Sequence, residues 1–175
     1  LSVTLLLGGA RSGKSSLAVR MGQSHDGAVL FVATAEPFDG DLRERVQRHR
    51  AERPPWPTVE APLHLAAAVT EADPSAMVIV DCLTVWVASL FHHHHYDDQR
   101  AAEYQLLLAA LGARTAPTVV VSNEVGMGVH PDTDLGRRYR DELGRLNQMV
   151  ATVATITLLM VAGRALRLHD PMELL

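Results

Sequence analysis

Residues 8–15 read Gly8-Gly9-Ala10-Arg11-Ser12-Gly13-Lys14-Ser15. The run meets every fixed position of G-x-x-x-x-G-K-[ST]. An apolar stretch, SVTLLL at residues 2–7, enters it, and an amphipathic stretch leaves it and continues to about Gln23. That order predicts a buried strand, a glycine-rich loop and a helix. Glycines let the backbone curl until several N–H groups converge on one point. The helix N-terminus adds its positive end there. Lys14 can then reach the outer phosphates of a nucleotide, and Ser15 can place its hydroxyl on Mg2+. These features predict a P-loop nucleotide-binding protein. They do not by themselves separate a kinase from a nucleotide-driven switch.

Further along the chain the same alternation repeats. Strands are expected at 28–34, 76–81, 118–122, 156–161 and 164–168, from their runs of Val, Ile, Leu and Thr. Helices are expected at 39–50, 63–71, 83–90, from about Asp98 through Leu111, and at 134–150. Pro54 and Pro55 stop the first of these. Residues 92–99 read as the least structured stretch. Strands alternating with helices imply a largely parallel sheet covered on both faces. The 156–161 and 164–168 strands are joined too tightly for a parallel crossover, so they should pair antiparallel at a sheet edge. The expected fold is α/β: a RecA-like, three-layer P-loop domain spanning residues 1–175, mostly parallel, with antiparallel C-terminal edge strands.

Composition narrows the function classes. The 175 residues carry 16 Lys and Arg against 20 Asp and Glu, a net charge of -4, and only 5% are aromatic. An acidic chain poor in stacking side chains and without a basic stripe argues against a nucleic-acid partner. One cysteine excludes a disulfide framework and a four-cysteine metal site. The longest apolar runs are strand-sized, so no membrane span is expected. The apolar start lacks a basic flank and runs into the glycine loop, unlike a signal peptide, and a cytoplasmic location is expected.

Asp81 ends the AMVIVD strand, where a parallel sheet delivers groups to its ligand edge. It is the candidate acid for Mg2+ beside Ser15. Asn123 and Glu124 follow the next strand at the same edge; Glu124 either orients a substrate hydroxyl or a metal-bound water, or caps the turn that follows. The four histidines 92–95 read as an exposed connection, and Cys82, Met77 and Trp86 as core.

Several stretches together are similar to the bifunctional adenosylcobinamide kinase / adenosylcobinamide-phosphate guanylyltransferase family. They are GGARSGKSS from Gly8, RERVQRHRAERPPWPTVEAP from Arg43, VDCLTVWVASL from Val80, and VSNEVGMGVHPDTDLGRRYRDELGRLNQMVA from Val121. The resemblance implies an enzyme with two steps. ATP or GTP phosphorylates the aminopropanol hydroxyl of adenosylcobinamide. GMP from GTP is then joined to that phosphate through a covalent GMP-histidine, giving adenosylcobinamide-GDP and pyrophosphate. It also implies a homotrimer.

The family histidine falls on His49. Arg45 and His49 would share one helix face, with Arg53 following if the helix lasted. Neighbouring guanidinium groups would hold phosphate oxygens and keep the imidazole neutral for attack on phosphorus. The resemblance implies nucleotide contacts from Thr34, Ala35, Glu36, Ala51, Glu52, Arg53, Pro54 and Glu60. A carboxylate at Glu60 could accept the N1–H and N2–H of guanine, a donor pair that adenine lacks. The chain departs from the family with a one-residue-tighter loop before Trp56, and with Ser89 where Asn is common. A P-loop small-molecule kinase with no guanylyltransferase step is the alternative reading, and it gives His49 no task.

Overall fold

The computed structural model describes residues 3–35, 53–93 and 96–175. In chain order these form β1 (Val3–Gly8), α1 (Lys14–Gln23), β2 (Val29–Ala33), β3 (Thr58–Glu60), α2 (Leu65–Glu71), β4 (Met77–Asp81), α3 (Leu83–His93), α4 (Asp97–Ala113), β5 (Thr118–Val121), α5 (Asp134–Val153), β6 (Ile156–Val161) and β7 (Arg164–Leu168). A short 3₁₀ turn, Pro171–Leu174, follows.

Among the described residues the strands make one seven-stranded sheet in the order β3-β2-β4-β5-β1-β6-β7. Every pairing is parallel except the last, β6 with β7, which is antiparallel as their short connection requires. The expected α/β architecture and its antiparallel C-terminal edge are therefore present.

The period-two alternation of the strands divides the core. Val3, Leu5 and Leu7 of β1 lie with Val32, Val78, Val80 and Val120 on one face, against residues of α2 to α5 such as Leu65, Trp86, Leu107 and Leu146. Leu6 lies with Phe31, Ile79 and Val121 on the other face, against Ala18 of α1 and Trp56. Helices on both faces bury both sides of the central strands, and this is why those strands read as unbroken apolar runs.

Three differences from the sequence reading stand out. The stretch expected to be least structured lies partly in helices: α3 continues to His93 and α4 begins at Asp97. The acidic pair Asp97 and Asp98 sits in the first turn of α4, where negative charge complements the helix dipole. The three-residue strand β3 was not expected, because Pro57 and Pro62 bracket it closely. It pairs with β2 through Phe31↔Thr58 to Ala33↔Glu60. A buried ionic brace, also unforeseen, ties α4 to α5. Arg100, 1% exposed, donates from Nε (3.0 Å) and Nη2 (2.8 Å) to the Glu142 carboxylate. Tyr104 donates its hydroxyl to Glu142 at 3.0 Å.

Candidate nucleotide site

The strand registers put the predicted side chains on one edge. Ala33 is level with Glu60 of β3 and with Asp81 of β4; Asp81 is level with Val121 of β5, which is level with Leu6 of β1. All of these are carboxyl ends of parallel strands, the edge where ligands bind in open α/β sheets.

Gly8 closes β1 with φ 146°, and a Cβ there would lie 2.3 Å from the Met160 carbonyl oxygen. Only glycine lets β1 pass β6 this closely and turn into the loop. Gly13 caps α1 at φ 99°, a left-handed value that suits the turn from loop into helix. Ser12 is buried, its N–H bonded to the Gly9 carbonyl at 3.3 Å. Gly9, Ala10 and Arg11 are exposed at the crest, with Arg11 at φ 58°.

Lys14 is buried at 6% exposure. Its ammonium donates to the carbonyls of Gly8 (2.8 Å) and Gly9 (2.7 Å) and to Ser12 Oγ (3.3 Å). Burial lowers its pKa, and the negative potential from Cys82 and Asp81 partly offsets that. A cation held by its own loop carbonyls is pre-positioned to exchange those acceptors for phosphate oxygens. Ser15 Oγ donates to Asp81 Oδ1 at 3.4 Å across 66 residues of sequence. A hydroxyl and a carboxylate this close are the hard oxygen donors that suit Mg2+, which takes few protein ligands.

The residues flanking Asp81 are tied to their neighbours. Thr34, expected among nucleotide contacts, is fully buried. Its hydroxyl donates to the Cys82 carbonyl (2.7 Å) and accepts the Cys82 N–H (2.8 Å). It acts as a clamp between the ends of β2 and β4. The Cys82 thiol is enclosed although part of the residue is exposed, and burial with the adjacent Asp81 charge pushes its pKa up to about 11. After β5, Ser122 donates to Asn147 Oδ1 (2.7 Å), Asn123 N–H to Thr84 Oγ1 (2.8 Å), and Asn147 Nδ2 to the Asn123 carbonyl (3.1 Å). Glu124 N–H then bonds the Gly8 carbonyl at 3.1 Å, so the β5 loop starts attached to the phosphate loop.

The other flank carries a support that sequence reasoning missed. Gly163, in the β6–β7 turn, donates its N–H to the Ser12 carbonyl at 3.0 Å. No local pattern announces such a contact; the tight hairpin after β6 was its only trace.

Towards β3, Ala35 is half-buried and Arg53 lies with its guanidinium 3.7 Å over the Phe31 ring. Pro54 is half-buried and Glu60 is exposed at the end of β3. Glu36, Arg45, His49, Ala51 and Glu52 lie outside the described residues. No helix among the described residues is long and apolar enough to cross a membrane.

Comparison with known proteins places this geometry. The solved structures it resembles include an ATPase of the type III secretion system of pathogenic bacteria. That match has a TM-score of 0.55 at 13% identity and covers 90% of this chain and 50% of the other. They also include PH0250 from Pyrococcus horikoshii OT3, with a TM-score of 0.57 at 8% identity, covering 95% and 85%. Likeness at such low identity speaks to the fold alone. Sequence relatives are much nearer. The bifunctional adenosylcobalamin biosynthesis protein CobP of Pseudomonas aeruginosa is 44% identical over 161 residues, covering 91% of this chain and 92% of that protein. The corresponding protein CobU of Escherichia coli is 37% identical over 174 residues, covering 91% and 95%. The family described as cobinamide kinase / cobinamide phosphate guanyltransferase matches residues 4–168. With that family's pattern running through residues 4–168 and relatives 37–44% identical covering nine-tenths of both chains, the chain belongs to the cobinamide kinase / cobinamide phosphate guanyltransferase family.

Proposed function

We propose that one domain, residues 1–175, carries both family steps in this chain. It would phosphorylate adenosylcobinamide with ATP or GTP, then transfer GMP from GTP to the new phosphate. The observation that carries this is the meeting of Lys14, Ser15 and Asp81 at one sheet edge in a chain of this family. Gly8, Gly9, Ala10, Arg11, Ser12 and Gly13 supply the loop whose backbone N–H groups receive phosphate. Ala35, Glu36, Ala51, Glu52, Arg53, Pro54 and Glu60 would line the nucleotide further along, with Thr34 holding that strand end in place.

Ser15 and Asp81 would hold Mg2+, which draws charge from phosphate oxygens when bound. In the kinase step Lys14 would follow the transferring γ-phosphoryl group and stabilise charge that grows in the transition state. The acceptor hydroxyl forms a new P–O bond, the bond to the β-phosphate oxygen breaks, and the hydroxyl proton leaves to solvent or a base.

In the second step the neutral His49 imidazole attacks the α-phosphorus of GTP. A P–N bond forms as the P–O bond to pyrophosphate breaks. The phosphate of the acceptor then attacks the same phosphorus and the P–N bond breaks, regenerating histidine and leaving adenosylcobinamide-GDP. Nucleoside triphosphates as substrates support a cytoplasmic setting. The homotrimer rests on the family resemblance; β7, all five of whose residues are exposed at one end of the sheet among the described residues, is a surface that contact between subunits could use. Sedimentation at micromolar concentration tests it, and 19.0 kDa particles alone would reject it.

The test of the reaction is incubation with GTP labelled at the α-phosphate. Label should be acid-labile and alkali-stable, as a phosphoramidate is, and map to His49. His49→Ala should abolish both labelling and GMP transfer while leaving γ-phosphoryl transfer measurable. Label on Lys14 or on another histidine, with His49 unmodified, would overturn the assignment.

A further inference from the structure

The β5–α5 connection, from Asn123 to Thr133, carries exposed apolar side chains at the ligand edge beside the phosphate loop. Met127 is 79% exposed and Val129 is 94% exposed; Leu135, just inside α5, is 61% exposed. Single exposed apolar residues are ordinary; several on one loop beside a ligand edge form a surface that a bound molecule can cover.

The loop is not loose chain whose side chains fall where they will. Several of its polar groups are used internally. Glu124 Oε1 accepts the Gly126 N–H (2.8 Å), and the Val125 carbonyl accepts the Gly128 N–H (3.4 Å). Arg137 donates to the carbonyls of Pro131 (2.9 Å) and Asp132 (3.0 Å). Thr133 caps α5 by accepting the Gly136 N–H. The backbone is folded on itself, and it presents Met127 and Val129 next to the exposed His130 and Asp132.

Position supplies the occupant. β5 lies between β1 and β4, so its loop leaves the sheet between the phosphate loop and Asp81. The Glu124 N–H bond to the Gly8 carbonyl fixes the start of the loop one residue from Gly9. A phosphoryl acceptor must bring its hydroxyl to this gap. The acceptor class is a large corrin macrocycle with apolar faces and an amide fringe. Such a body needs apolar contact area well beyond the hydroxyl that reacts.

We propose that the β5–α5 loop is the corrinoid platform, with Met127 and Val129 packing against the macrocycle while its side-chain hydroxyl reaches the phosphate loop. This rests on the reading that the chain phosphorylates adenosylcobinamide. It assigns that substrate's body to named residues. The exposed apolar residues of β7 lie on the opposite side of β1, away from Asp81, and suit contact between subunits rather than acceptor docking.

The test uses the full chain with Met127→Ser and Val129→Ser combined, both at exposed positions where folding is little affected. Kinase kinetics are measured against adenosylcobinamide at saturating ATP, beside α-phosphate labelling by GTP with no corrinoid present and sedimentation of both proteins. The expected result is a KM for adenosylcobinamide raised about tenfold or more, from the loss of two apolar contacts. The labelling yield and kcat should stay within about twofold of the parent, since neither residue belongs to the nucleotide machinery. An unchanged KM overturns the platform, and an unchanged KM with altered sedimentation assigns the loop to a subunit contact instead. If the parent protein labels with GTP but cannot phosphorylate adenosylcobinamide, the kinase reading fails and the platform falls with it.

Discussion

At the β1 end of the ligand edge, polar atoms are fixed by neighbours before any ligand is considered. Lys14 has three hydrogen bonds within its own loop, Ser12 is tied to Gly163, and Glu124 N–H is tied to Gly8. At the β3 end the described groups are side chains. Glu60 is exposed on a three-residue strand, and Arg53 rests on the Phe31 ring. The difference follows what each end would recognise. Phosphate is the same in every nucleotide and is served by rigid backbone N–H groups. A base is distinguished by its edge and needs side chains. Rigid preorganisation gives rate, because donors already aimed at developing charge need no reorganisation. The side-chain end would give discrimination.

Lys14→Ala strikes the preorganised end and should have the largest effect. Loss of one charge that follows the transferring phosphoryl group should lower kcat for the kinase step by about 10²–10³-fold. GMP transfer should fall too, since one phosphate loop would serve both steps. Steady-state kinetics of each step at saturating GTP checks this, and near-normal rates for both would break the contrast drawn between the two ends. The parent enzyme has a linked pH signature. Burial lowers the Lys14 pKa from 10.5. The ammonium is therefore lost at a lower pH than in a free lysine. The alkaline fall of kcat/KM, which reports the free enzyme, should begin below that of an ordinary lysine.

Asp81→Asn keeps the shape and removes the charge next to Ser15. The Mg2+ concentration that supports half-maximal kinase rate should rise by about 10–100-fold, as for a weakened metal shell. A titration of rate against Mg2+ reads this directly. An unshifted midpoint would remove Asp81 from the metal site and leave the 3.4 Å contact with Ser15 as a strand-end hydrogen bond.

Local patterns in the sequence account for much of this end. Gly8 to Ser15 form a contiguous motif, and the flanking strand and helix are written in adjacent residues. The apolar runs of β1, β4 and β5 are legible because both sheet faces are buried. What escaped notice is long-range. Thr34 reads as a strand-end residue near a ligand, and its clamp on Cys82 exists only because β2 pairs with β4. Gly163 reads as a hairpin glycine, and its bond to Ser12 depends on β6 lying beside β1. Arg100 looks like a surface residue of a charged helix start until Glu142 of α5 meets it. The β3 end was legible through family resemblance alone. Three residues between prolines carry no strand periodicity, and a single exposed carboxylate carries no chemistry until something is placed opposite it.

Glu60 gives the smallest expected effect and the sharpest test of the base end. Four strand spacings of about 4.8 Å separate β3 from β1, so Glu60 stands roughly 19 Å across the sheet from the phosphate-loop strand. Only a nucleotide laid out along the edge can touch both. Glu60→Gln keeps the size of the side chain and replaces a two-acceptor carboxylate with an amide that has one acceptor. Hydrogen bonds to a charged group contribute about 1.5–3 kcal/mol, and exposure reduces this towards about 1 kcal/mol. The KM for GTP in GMP transfer should therefore rise roughly fivefold. Kinase turnover with ATP should not change, because adenine offers no N1–H and N2–H pair to lose. Equal effects on GTP and ATP would mean that Glu60 acts on the shape of β3 and not on the base. No effect on either would move guanine recognition elsewhere, and would leave the phosphate end as the part of the site that this edge alone can explain.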